Sequence, residues 1–83
     1  MKNNIKDLRD ESEMTLQQLA DSVGSSKSYI WELQQGKSKP TLALAYAIAK
    51  ILCATVYEVW PDDTEIVEEV IRVRRAVIKK IGE

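Results

Sequence analysis

The sequence predicts an all-α fold of five short helices, followed by an additional amphipathic helix at the C-terminal end. Apolar residues recur at the three- and four-residue spacings of helix faces through most of the 83 residues. A serine, threonine or asparagine precedes each of the first five apolar runs, where its side chain can cap a helix. Glycine or proline marks three of the boundaries between runs, and a chain of this length forms one domain with a single modest core.

The first helix is predicted to start after Asn3 or Asn4, either of which can cap it, and to end near Ser12. Ile5 and Leu8 are three residues apart and therefore face the same side of a helix. We expect both of them to contact the core.

Residues 15–36 predict two short helices joined by a tight turn. Thr15 is a good N-cap for the first of them, and the apolar positions behind it follow the i, i+3, i+4, i+7 spacing of one helix face. Gly24 ends this helix, because glycine adopts the left-handed backbone conformation without steric cost. The apolar positions are Leu16, Leu19, Ala20 and Val23.

The helix after the turn has a much narrower apolar seam. Ser26 offers its N-cap, and Ile30 and Leu33 form the seam. The other positions are long, polar or aromatic and fall mostly on the open side of the helix. They are Lys27, Ser28, Trp31, Glu32 and Gln35.

Two further helices complete the predicted core. Thr41 caps a fourth helix whose apolar residues run almost all round, which is typical of a central buried helix. Thr55 caps a short fifth helix from Val56 to Trp60, which Pro61 prevents from continuing. We interpret Cys53 as a small core residue.

We predict that the chain divides after residue 61, with residues 1–61 forming the domain itself and residues 62–83 forming a last helix with a wide apolar stripe. Its acidic residues precede its basic residues, which suits the helix macrodipole and also suits the antiparallel pairing of two copies. We predict that this helix is a dimerisation element, whereas packing of the stripe on the domain's own core is the alternative. The seam residues, whose first four follow the 4-3-4 spacing of a coiled coil, are Ile66, Val70, Val73, Val77 and Ile81.

Composition argues against an enzyme, a metal site and a membrane protein. The chain has no histidine, and its one cysteine lies in an apolar run, so neither a nucleophile with its base nor a zinc site has the residues it needs. We expect no cofactor. No apolar run approaches the ~20 residues that span a bilayer, and the N-terminus lacks the apolar centre of a signal peptide, so we expect a cytoplasmic protein.

Charge is distributed unevenly along the chain. The formal net charge of −1 argues neither for nor against nucleic acid. Between Ser22 and Thr55, however, there are four basic residues and one acidic residue. This local excess of positive charge covers the third helix and the loop after it.

Residues from about Ile5 to Trp60 resemble the helix-turn-helix domain of the phage-repressor and Cro family, also called the XRE family. Several landmarks stand in the correct register for that family. They are Met14-Thr15, Leu19-Ala20, Gly24, the Ser26-to-Ile30 spacing, Gly36-Lys37, Pro40-Thr41-Leu42 and Ile48-Ala49-Lys50.

The resemblance implies a repressor-like regulator in which the third helix enters the major groove of a palindromic operator, two copies reading two half-sites. It implies base contacts by Lys27, Ser28, Tyr29 and Glu32. For the two aromatic residues, Tyr29 and Trp31, two interpretations remain: partial packing against the core, or contact with a sugar or a thymine methyl group. The implied contacts to the DNA backbone come from the start of the second helix, from both ends of the third helix and from the loop that contains Lys37 and Lys39. These backbone contacts are Thr15, Gln17, Gln18, Ser26, Gln35, Lys37 and Lys39.

Three positions depart from the family pattern. In the family an arginine at the position of Arg9 usually pairs with a glutamate where this chain has Gln34, so we expect a hydrogen bond in place of an ion pair. Leu16 stands where many relatives carry a DNA-contacting glutamine, and Glu32 would be repelled by phosphates. The departures at Leu16 and Glu32 give some weight to an alternative function, a protein-interaction module such as an antitoxin or antirepressor that binds through the last helix, although a DNA-binding regulator remains the preferred interpretation.

Overall fold

A computed structural model describes residues 2–61 and 72–76 of the chain. Within these ranges the protein is helical and contains no β-strand, which confirms the predicted fold class, and residues 72–76 are helical too. None of the described helices is long and apolar enough to cross a membrane. The helices in residues 2–61 are α1 (Ile5–Glu11), α2 (Leu16–Val23), α3 (Lys27–Gln34), α4 (Leu42–Ile51) and α5 (Val56–Val59).

Four of these helices begin at the capping residues that the sequence predicts. In each, the side-chain oxygen of the capping residue accepts a hydrogen bond from the backbone N–H three residues later, at 3.0 to 3.2 Å. A cap of this kind stabilises a helix by about 1 kcal/mol. The pairs are Thr15 with Gln18, Ser26 with Tyr29, Thr41 with Leu44 and Thr55 with Glu58.

The start of α1 is held by two asparagines with different roles. Asn3 supplies the side-chain acceptor, since its Oδ1 accepts a hydrogen bond from the Ile5 N–H at 3.1 Å. Asn4 stands at the N-cap position but bonds to the end of α5 instead. Its backbone N–H donates to the Val59 carbonyl at 2.8 Å, and its Nδ2 donates to the Glu58 carbonyl at 2.8 Å.

The helices α1 to α4 all end with one residue in the left-handed conformation. Gly24 and Gly36 have φ of 69° and 77°, and Glu13 and Cys53 both have φ of 54°. At each end the left-handed residue donates its N–H to the carbonyl three residues earlier, and the next residue donates to the carbonyl five residues before itself. This is the Schellman pattern, which satisfies carbonyls that the last helical turn leaves without partners.

The prediction that Cys53 is a core residue is wrong, because Cys53 is exposed. It is the left-handed residue that closes α4, where the chain turns away from the helix. Its N–H donates to the Lys50 carbonyl at 3.1 Å, and the N–H of Ala54 donates to the Ala49 carbonyl at 2.9 Å. The buried surface of this segment ends one residue earlier, at Leu52, which is 3% exposed.

The core lies between the helices, with α2 packed against α3 and α4 and with α4 packed against α5. Val56, Val59 and Trp60 are buried and belong to this core. Because every helix in residues 2–61 contributes at least one buried side chain, the segments stabilise one another. The largest fully buried side chains are Trp60, Ile5, Leu19, Ile30, Leu33, Ile48 and Val59.

The fourth helix is central, although it is not buried all round as the sequence predicts. It packs against both α2 and α5. Its buried residues are Ala45, Ile48 and Ala49, whereas Tyr46 is 38% exposed. The two neighbouring helices cover one side of α4, so the apolar residues on its other side remain partly accessible.

Most of the predicted dimerisation seam lies outside the described residues. This holds for Ile66, Val70, Val77 and Ile81. Val73 belongs to the helical segment 72–76 and is 36% exposed. The division of the chain after residue 61 and the pairing of the last helix remain predictions.

Candidate nucleic-acid interface

The helices α2 and α3 form a helix-turn-helix unit that is fixed by apolar contacts. Leu19 and Ala20 of α2 and Ile30 and Leu33 of α3 are all fully buried. Gly24, with φ of 69° and ψ of 34°, reverses the chain in the turn between the helices. Because the buried residues of α3 occupy one narrow side, its opposite side lies at the protein surface.

Lys27, Ser28 and Glu32, three of the four predicted base contacts, lie together on the exposed side of α3. They border a shallow depression of about 500 Å³, whose other walls are Trp31 and Leu16. We call these five residues the reading face. The face offers hydrogen-bond donors from the lysine and serine, an acceptor from the glutamate, and an apolar wall from the leucine and tryptophan.

Tyr29, the fourth predicted base contact, lies outside the reading face. Its side chain is half-buried and packs against the core. Its hydroxyl donates a hydrogen bond to the Lys39 carbonyl at 3.3 Å. Tyr29 therefore joins α3 to the loop that follows it.

Ser38 and Glu32 make a second connection between this loop and α3. The Ser38 hydroxyl donates to Glu32 Oε2 at 3.2 Å. The bond fixes one carboxylate oxygen of Glu32, and the second oxygen can accept a hydrogen bond from outside the protein. Glu32 is thus oriented as an acceptor on the reading face.

The third connection is a cation–π contact between Lys37 and Trp31. The Lys37 ammonium lies 4.8 Å from the centroid of the Trp31 ring. Contacts of this type at exposed sites are worth about 0.5 to 1 kcal/mol. The contact holds a positive charge beside the reading face, and the exposed Lys39 adds a second charge in the same loop.

The predicted phosphate contacts of α2 lie at its exposed start, but their side chains bond within the helix. Thr15 N–H donates to Gln18 Oε1 at 2.8 Å, completing a reciprocal capping box, and Gln17 Nε2 donates to Asp21 Oδ1 at 2.8 Å. A helix start leaves the backbone N–H groups of Leu16 and Gln17 without intrahelical acceptors. Together with the positive end of the helix dipole, these two N–H groups can hold a phosphate.

Two more predicted backbone contacts lie at the two ends of α3. Ser26 is exposed, and its Oγ accepts the capping hydrogen bond from the Tyr29 N–H at 3.1 Å, which leaves its hydroxyl hydrogen available to donate. Gln35 is exposed just after the helix, and its N–H donates to the Trp31 carbonyl at 2.9 Å. Both side chains are placed at the surface next to α3.

The C-terminal end of α3 is fixed by the first helix and the residues before it. Arg9 Nη2 and Nε donate to Gln34 Oε1 at 2.8 and 3.2 Å, which confirms the predicted hydrogen bond in place of an ion pair. Arg9 Nη1 also donates to the Met14 carbonyl at 2.9 Å. Asn3 Nδ2 donates to the Leu33 carbonyl at 2.9 Å, near the end of α3.

Asn3 and Ser38 build the site, yet sequence reasoning misses both roles. The partner of Asn3 is 30 residues away in the chain, so no local pattern indicates the contact. Ser38 lies between two lysines in a loop. A serine six residues after a glutamate is a common arrangement in sequences, so the spacing of Ser38 and Glu32 does not predict their hydrogen bond. Within the described residues, no cluster of cysteine and acidic side chains has an arrangement that could hold a metal ion.

Residues 5–52 match the helix-turn-helix family. An uncharacterized HTH-type transcriptional regulator of Archaeoglobus fulgidus is 37% identical to this chain over 65 residues, covering 78% of this chain and 92% of that relative. The family match therefore extends over more than half of the chain, and the relative is covered almost completely.

Two solved structures share the fold. A chain of the SinR protein/SinI protein complex superposes with a TM-score of 0.66 at 24% identity, covering 83% of this chain and 72% of that one. The clp gene regulator ClgR from Corynebacterium glutamicum gives a TM-score of 0.64 at 20% identity, covering 93% of this chain and 80% of that one. With the family match and the landmarks of the turn, these likenesses place the chain in the helix-turn-helix family of transcriptional regulators, of the phage-repressor and Cro (XRE) type.

Proposed function

We propose that this regulator is a sequence-specific, repressor-like protein that inserts α3 into the major groove of a palindromic operator and binds as a homodimer. The observation that carries the proposal is the reading face, where Lys27, Ser28 and Glu32 lie side by side on the exposed side of α3. An α-helix fits the major groove, and its exposed side then meets the base edges.

Each polar residue of the reading face suits a particular base edge. The Lys27 ammonium can donate to O6 and N7 of guanine, and the Ser28 hydroxyl can donate or accept. The Glu32 carboxylate repels phosphate but can accept a hydrogen bond from N4 of cytosine. Its bond to Ser38 supports this role, because an oriented carboxylate loses less freedom when it binds a base.

Contacts to the DNA backbone would come from segments around the reading face. The start of α2 would supply its open N–H groups, with Thr15, Gln17 and Gln18 around them. Lys37 and Lys39 would add contacts from the loop after α3, and Ser26 and Gln35 would add contacts from the two ends of α3. Contacts of this class position the protein and supply salt-dependent affinity through the release of counterions.

Dimerisation through the last helix would match the two-fold symmetry of a palindromic operator. The support is the apolar seam of the sequence and the exposure of Val73 within the segment 72–76. The two copies of α3 would then lie about 34 Å apart, one turn of DNA.

A selection from random DNA, followed by a salt titration, tests the proposal. The wild-type protein should enrich a symmetric motif, and its affinity should fall steeply with salt. A variant carrying both Lys27→Ala and Glu32→Ala should keep salt-dependent binding but lose the enriched motif. Lys6→Ala is the control, because Lys6 lies on α1 and pairs with Asp10 at 3.1 Å. A protein without salt-dependent DNA binding would refute the proposal and favour a protein partner.

A further inference from the structure

We infer that Leu16 and Trp31, the apolar wall of the reading face, receive the 5-methyl group of a thymine in the major groove. This inference rests on the proposed DNA-binding function and assigns to the apolar wall a preference for thymine. The proposed function gives base contacts to the polar residues of the reading face and gives no role to these two apolar residues.

The wall combines residues from two helices. Trp31 is 42% exposed although it is the largest side chain on α3, and Leu16 is half-buried at the first position of α2. Both border the same depression of about 500 Å³. Covering exposed apolar surface with another apolar group removes it from water and lowers the free energy. The depression therefore favours a ligand that brings an apolar group to this wall.

Contacts within the protein hold the surroundings of the wall in place. The Lys37 ammonium lies 4.8 Å from the centroid of the Trp31 ring. The neighbouring Glu32 carboxylate is held by Ser38 at 3.2 Å. A site that is ordered before the ligand binds loses less conformational freedom on binding. The wall is thus partly ordered before DNA binds, which lowers the entropic cost of placing a methyl group against it.

The polar rim identifies the occupant. Lys27 and Ser28 can donate hydrogen bonds and Glu32 can accept one, all next to the apolar wall. Among the unmodified bases, thymine alone presents a methyl group in the major groove, beside its O4 acceptor and the N6 donor of the paired adenine. A purely apolar surface that covered the wall and the rim together would bury the rim groups away from water without providing new hydrogen-bond partners. The lysines at positions 27, 37 and 39 also favour a polyanion over an apolar peptide.

The test uses duplexes recovered by selection from random DNA with the full-length protein. Each thymine is replaced in turn by uracil, which removes the methyl group and leaves the base-pairing edge unchanged. For wild-type protein, uracil at one thymine position in each half-site should weaken binding about fourfold per methyl group. In Trp31→Ala the same replacement should weaken binding by clearly less than fourfold, because the methyl group keeps only its contact with Leu16.

A matched control is Tyr46→Ala, which truncates another exposed aromatic residue, 38% exposed and outside the reading face. This variant should keep the uracil penalty. Leu16→Ala provides a second variant, and it should reduce the penalty in proportion to its share of the wall. Circular dichroism checks that each variant is folded.

The outcomes separate this inference from the proposed function. If the protein binds DNA with steep salt dependence but no uracil position matters, or if the penalty in Trp31→Ala equals that of the wild type, the methyl site is refuted and the DNA-binding function stands. If no duplex is enriched and binding does not depend on salt, both are refuted. A penalty that is reduced in Trp31→Ala and unchanged in Tyr46→Ala supports the site.

Discussion

At the scale of single residues, backbone conformation decides where the helices end. Two of the four left-handed positions carry glycine, and the other two carry Glu13 and Cys53. For an L-residue with a Cβ this conformation costs about 1 to 2 kcal/mol. The Schellman hydrogen bonds at both positions offset part of this strain.

Gly24→Ala tests this strain at the turn of the helix-turn-helix unit. A Cβ at this position would meet no atom within 4 Å, so the substitution adds backbone strain without a steric clash. Alanine also lowers the entropy of the unfolded chain, and we expect a net loss of about 1 kcal/mol in the free energy of unfolding. Urea denaturation measures the loss.

Cys53→Gly is the converse control, because it removes the Cβ and relieves the same kind of backbone strain at an exposed position with φ of 54°. Its free energy of unfolding should stay equal to that of the wild type or increase slightly. A Gly24→Ala variant as stable as the wild type would contradict the account of the turn.

Glu32→Ala tests base recognition by a single residue. If the carboxylate accepts a hydrogen bond from a base, its removal should change the preferred base at one position, with a discrimination of about 1 to 3 kcal/mol lost there. Selection from random DNA with both proteins measures the change. Ser38→Ala, which removes only the orienting hydrogen bond, should change the same position by less. An unchanged preference with a general rise in affinity would mean that Glu32 merely repels DNA.

At the scale of elements, α3 and the loop after it form one structural unit. Tyr29, Ser38 and Lys37 connect the loop to the helix by two hydrogen bonds and one cation–π contact. Asn3 and Arg9 bond to Leu33 and Gln34 at the C-terminal end of the helix, next to this loop. The helix that would read bases and the lysines that would bind phosphates therefore keep a constant relative position.

Lys37→Ala and Lys39→Ala test the loop as a phosphate-binding element. Either substitution should weaken binding about equally on every DNA sequence and lower the slope of log affinity against log salt by ~1. Lys50→Ala is the control, since Lys50 is exposed on α4 and borders a different depression, so its slope should match the wild type. Titrations at several salt concentrations measure the slopes. A loss confined to one operator would contradict the assignment.

The sequence predicts how the helices start better than how they end. Thr15, Ser26, Thr41 and Thr55 are visible as caps because a short polar side chain before an apolar run has a local physical role. A left-handed glutamate or cysteine carries no such signal, which is why Cys53 is misassigned. In the site, the positions of Lys27, Ser28 and Glu32 follow from helix periodicity, whereas the contacts of Asn3 and Ser38 depend on how distant segments pack.

At the scale of the whole molecule, the formal net charge of −1 conceals a division of charge along the chain. The segment from Ser22 to Thr55 is basic, and the sequence of the predicted last helix begins with acidic residues and continues with basic ones. The first feature suits a phosphate backbone and the second suits an antiparallel copy of the same helix. One chain thus has separate charge patterns for its two proposed partners.

The pairing of the last helix can be tested by placing charges in its seam. Val73 is 36% exposed in the segment 72–76, and Val70 precedes it by three residues on the same predicted face. Changing both to lysine should give a folded monomer, because a charge cannot be buried in an apolar interface without a partner. DNA affinity should then fall steeply, since a single half-site offers half of the contacts.

Sedimentation measures the oligomeric state of the wild type and of the double variant, and circular dichroism shows whether each is folded. A wild-type protein that is monomeric at high micromolar concentration, or a double variant that unfolds, would show that the helix packs on its own domain.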